Sequence, residues 1–93
     1  MGKNIDVCSA MINNKVVHFY RVVSGREVEA GYEISADEYR EVNELLNRKG
    51  YEGILTRILG LNAFCFTYYD VDDNIINEIT GTYGRLIPRE GGE

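Results

Sequence analysis

The chain has 93 residues, with 15 acids against 10 bases, a single histidine and a net charge of −5. That length holds one domain, the charge opposes direct contact with nucleic-acid phosphates, and a lone histidine excludes multi-histidine metal sites. No apolar run is long enough to span a bilayer, and the opening residues lack the apolar segment of a signal peptide, so the expected location is the cytoplasm.

Residues 5–23 read as a β-hairpin. Ile5 to Ile12 and Lys15 to Val23 are rich in β-branched and aromatic residues. Asn13-Asn14 between them suits a two-residue turn, because asparagine tolerates positive φ. In that register one face carries Cys8, Ala10, Ile12, Val17 and Phe19, and the other Val7, Met11, Val16, Tyr20 and Val22, with Ser9 opposite His18. Both faces are apolar, so a single covering layer leaves one of them bare. A homo-oligomer is the expectation that follows. Cys8 and Cys65 each sit in an apolar run and read as buried thiols acting as small hydrophobes, with a disulfide between the two halves as the alternative.

Ser24-Gly25 marks the next turn, and residues 28–34 form a short extended stretch. Residues 36–49 then read as an amphipathic helix. Ser35 is its N-cap and Glu38 completes a capping box. Ile34 and Tyr39 have staple spacing, and Gly50 stands where a left-handed residue ends a helix. Tyr39, Val42, Leu45 and Leu46 form its apolar stripe. Residues 51–60 fit both helical and strand spacing, and Gly53 and Gly60 bound a segment better suited to a strand.

Residues 62–83 read as a second hairpin, turning at Asp72-Asp73-Asn74. Phe64, Phe66, Tyr68, Ile75 and Ile79 would share one face. The expected fold is therefore α+β: an antiparallel sheet of four to six strands, β-β-(β)-α-(β)-β-β, covered on one face by a single helix. One domain spans residues 1–88, and residues 89–93 form a disordered tail.

The charge is unevenly placed. Glu27, Glu29, Glu33, Asp37, Glu38, Glu41 and Glu44 stand against one base, Arg40, and Asp70, Asp72 and Asp73 form a second acidic group. Asp70 to Asn74 opens like a calcium loop, but Ile75 and Gly81 occupy the positions that need Gly and Glu, so it reads as a turn and no metal site is expected. His18 lacks the partners of a nucleophilic triad, and no phosphate loop or dinucleotide fingerprint is present. No cofactor and no catalysis are expected.

Two binding roles remain. In the first, Asp37, Glu41, Glu44, Asp72 and Asp73, with Tyr69 as an aromatic anchor, face the basic surface of a nucleic-acid-handling protein. The chain would then inhibit or regulate that protein, as a phage or mobile-element accessory. In the second, Arg57, Gly81, Tyr83, Gly84 and Arg85 hold a small anion such as a nucleotide between subunits. The glycines would allow close backbone approach and the arginines would supply forks for phosphate.

Overall fold

A computed structural model describes residues 2–84. Its elements are β1 (Lys3–Ile12), β2 (Lys15–Ser24), β3 (Glu27–Ile34), α1 (Ala36–Arg48), β4 (Ile54–Ile58), β5 (Ala63–Val71) and α2 (Asp73–Tyr83). The five strands form one antiparallel sheet in the order β3-β2-β1-β5-β4. The expected tail at 89–93, and Arg85, lie outside the described residues.

Asn13 and Asn14 both take positive φ, 51° and 64°, the backbone of a two-residue turn whose twist matches its strands. That turn sets the register, and Ser9 lies opposite His18 as expected. β1 becomes the central strand because β5 pairs with its other edge. Ile5 and Val7 on one side of β1 are fully buried, and so is Cys8 on the other.

α1 forms as its caps dictate. Ser35 Oγ accepts from the Glu38 N–H at 3.1 Å, and Glu38 Oε1 accepts from the Ser35 N–H at 2.9 Å. At the far end Gly50 has φ +98°. The Gly50 N–H donates to the Asn47 carbonyl and the Tyr51 N–H to the Leu46 carbonyl, each at 3.0 Å, the paired closure of a Schellman motif. Val42 and Leu46 are fully buried, with Tyr39 and Leu45 partly so.

The second hairpin does not form. β5 runs antiparallel between β1 and β4, and the segment after it is a helix. Asp72 is the N-cap of α2, its carboxylate accepting from the Asn74 N–H at 2.7 Å. Ile76 and Ile79 are buried, with Ile75 and Tyr83 packed beside them, a helical spacing. Isoleucine and threonine favour strands only weakly, and burial against a core overrides that preference. The single covering helix is thus a pair. The two are linked by a Tyr83 hydroxyl that donates to Glu41 at 3.0 Å and by a 3.8 Å contact between Lys49 and Glu78.

Both helices contribute to one cluster with Ile5, Val7, Tyr20, Val22, Ile34 and Tyr68. They therefore lie on the same side of the sheet. Gly53, just before β4, lets the Tyr68 ring pass close beneath the chain; a Cβ there would lie 2.8 Å from the ring. The Tyr68 hydroxyl donates to Asn43 of α1, and burial pushes its pKa up to about 12.

Candidate functional site

α1 covers only part of its side of the sheet. It reaches His18 on β2, whose ring centroid lies 4.7 Å from that of Tyr39. Register places Tyr20, Val7, Phe66 and Leu55 in one row across the strands, and His18, Ser9, Phe64 and Arg57 in the next. Beyond α1 these rows emerge. Leu55 is 64% exposed and Phe64 49%. Phe66, Met11 and Val16 are also exposed, and Leu59, at 84%, and Leu61 extend the same apolar end through the β4–β5 turn.

The Arg57 guanidinium lies over the Phe64 ring, 5.4 Å from its centroid, an attraction between a cation and the face of the ring. Ser9, Met11, Val16, Asn62 and Phe64 line a shallow cavity of about 350 Å³. A second depression beside it is bounded by Asn43 and Asn47 of α1, Glu52, Phe66 and Tyr68. An apolar floor with a polar rim is the layout of a protein-docking surface. Periodicity had placed Phe64 and Phe66 on a core-facing side of β5. What it did not show is that α1 stops short of them.

The six residues expected to meet a protein partner do not form one patch. Asp37 pairs with Arg40 one turn along α1. Glu41 accepts from the Tyr83 hydroxyl, whose pKa is raised first by burial and then by that bond. Glu44 is exposed and, by helical spacing, shares the side of α1 that carries Asn43 and Asn47. Tyr69, half exposed, sits at the opposite end of β5 from Phe64. Asp72 is used as the α2 cap, with Asp73 in that helix's first turn. Asp70, Asp72 and Asp73 line an open depression with Gly2 and Tyr51. The segment read as a turn is therefore a helix start. Among the described residues no group of three His, Cys, Asp or Glu side chains is placed to hold a metal ion.

The expected anion site is also dispersed within one chain. Gly81 and Tyr83 belong to α2 and Gly84 is its C-cap, close to the Tyr20 hydroxyl on β2. These residues do not form the strand end that the two glycines suggested. Arg57 lies on β4, three strand spacings from β2, or roughly 14 Å.

The side of the sheet opposite the helices carries a disulfide that the sequence offered only as the alternative, and a polar network that sequence reasoning missed. Cys8 and Cys65 stand directly opposite on β1 and β5 and are joined as a disulfide. This corrects the expectation of two free thiols, since only the pairing of β1 with β5 brings the cysteines together. One row along, Arg21 Nε donates to Asp6 Oδ2 and Thr67 Oγ1 donates to Asp6 Oδ1, both at 2.8 Å. Thr56 and Thr67 share a further 2.8 Å hydroxyl contact. Four strands are thus tied by one chain of polar contacts, with Asp6 and Thr67 buried. No element among the described residues covers this face.

No protein-family model matches the chain, and neither a curated protein nor a solved structure matches it.

Proposed function

We propose that this chain is a non-catalytic protein-binding module: a small accessory protein, of the phage or mobile-element kind, that regulates or inhibits a partner bearing a basic, nucleic-acid-handling surface. The observation that carries the reading is the exposed apolar floor of Met11, Val16, Leu55, Phe64 and Phe66 where α1 ends its cover. Isolated exposed hydrophobes are ordinary, whereas a contiguous group beside a polar rim marks a docking site. Glu44 and Glu52 supply acidic rim positions, and the net charge of −5 steers a basic partner toward the surface. The apolar floor provides the affinity and the acids provide selection.

A photo-crosslinking residue in place of Phe64, used in the native host, tests this directly. A discrete protein adduct is expected at position 64, none at Val28 on the far edge strand, and loss of the adduct in Phe66→Asp. Absence of any adduct at 64 sinks the docking surface. With the captured partner, charge reversal of the rim acids Glu44 and Glu52 should weaken binding. Unchanged affinity removes the basic-partner half of the proposal.

A further inference from the structure

The two edges of the sheet are built differently. β3 carries Glu27, Glu29 and Glu33, all exposed, and Lys3 is paired to Glu29 beside it. Charged side chains on an edge strand discourage another strand from adding to it. β4 has no such protection. It reads Ile-Leu-Thr-Arg-Ile, and in a chain with 15 acids the whole stretch 53–69 contains none. Its one charge, Arg57, already lies over Phe64. Among the described residues, β5 is the only strand paired with β4.

We infer that β4 pairs antiparallel with β4 of a second copy of this chain, about a two-fold axis at Thr56, joining the two sheets into one. The five residues of β4 are complementary to themselves in this register, and charge selects this edge for the contact. Two molecules of net charge −5 repel, so they meet at least cost where neither presents a carboxylate, and this edge is that place. Full overlap of the five residues sets Ile54 opposite the second copy's Ile58 on the open side, and Leu55 opposite its Arg57 on the helix side. Each copy thus covers exposed apolar surface on both faces of the other's edge. A two-fold contact of this kind closes on itself and does not propagate into fibres.

Five paired residues a side fall short of the ~1,200 Å² of a tight interface, so dissociation is expected on the order of 10–100 μM. Leu55 at the border of the apolar floor enters the dimer contact, whereas Met11, Val16 and Phe64 stay open, one or more strands in from the axis. Partner capture at Phe64 can therefore succeed or fail whether or not the dimer forms.

Sedimentation velocity on the full chain from about 5 to about 500 μM should show a monomer–dimer equilibrium. Hydrogen exchange should show β4 amides gaining protection as concentration rises. Leu55→Lys, which sets a second cation against the facing Arg57, should weaken the dimer at least about tenfold. Leu55→Glu, which offers that arginine a carboxylate, should retain it. Val28→Lys on β3 should have no effect. A monomer throughout the range overturns the inference. So does a dimer whose β4 amides are not protected, one lost equally in Leu55→Lys and Leu55→Glu, or one disrupted by Val28→Lys.

Discussion

Cys8 and Cys65 lie 57 residues apart in sequence, yet they face each other across adjacent strands with their sulfurs bonded. Closing so long a loop restricts the unfolded chain and stabilises the fold by ~2–4 kcal/mol. A Cys8→Ser/Cys65→Ser variant, or the wild type under reductant, should lose that amount in urea melts. The two serines keep the size of the side chains, so the sheet should persist in circular dichroism. An equal melting midpoint with and without reductant would contradict the bond.

Gly53 and Gly81 should respond oppositely to alanine. At Gly53 a methyl would meet the Tyr68 ring at 2.8 Å, and Tyr68 is held by Asn43. Gly53→Ala should cost ~1–3 kcal/mol. Gly81 lies inside α2 with open space where a Cβ would stand. Gly81→Ala should stabilise by ~0.5–1 kcal/mol. Thermal melts of the two variants give both signs, and a destabilised Gly81→Ala would argue against the helix.

Removing Arg21 strands the Asp6 carboxylate with a hydroxyl as its remaining partner. Arg21→Ala should destabilise by ~1–3 kcal/mol. Because the two groups act together, Asp6→Asn combined with Arg21→Ala should cost less than the sum of the single changes. Additive losses in a double-mutant cycle would mean that the 2.8 Å contact contributes nothing.

Alkali should unfold the chain through its buried tyrosines. Burial raises the Tyr20 and Tyr68 hydroxyl pKa values, the latter from 10.0 to about 12. Above pH 10 the unfolded chain releases protons that the folded chain retains, so stability falls as pH rises. Below pH 10 both states are protonated and the effect vanishes. Tyr68→Phe should flatten the decline between pH 10 and 12. Ultraviolet titration of phenolate alongside circular dichroism would show late ionisation coinciding with unfolding.

Local signals made much of this fold readable. The Asn13-Asn14 turn, the first hairpin's register and both ends of α1 follow from residues within a few positions of one another. Leu46 was readable in the same way, and Leu46→Asp should abolish cooperative folding because that position is fully buried. α2 was misread because Ile75, Ile76, Ile79 and the threonines carry strand preference, and the helical face shows only once a core is placed against it. The disulfide and the Asp6 row depend on β5 lying beside β1, a pairing that no local pattern announces. The exposed apolar floor was legible as residues but not as surface, since its exposure depends on where α1 stops.

Of the five strands β1 comes first in chain order, yet it occupies the middle of the sheet, and its second neighbour, β5, begins at Ala63. The β1–β2–β3 meander needs only nearby contacts and can assemble early. The inner edge of β1 must then wait for most of the chain before β5 closes it. Folding speed should therefore be governed by that one distant closure, since non-local pairing repays its loop entropy only on completion. Until then the nascent protein carries an open strand edge at its centre, and the interval before Val71 emerges is when it is most prone to pair with the wrong partner.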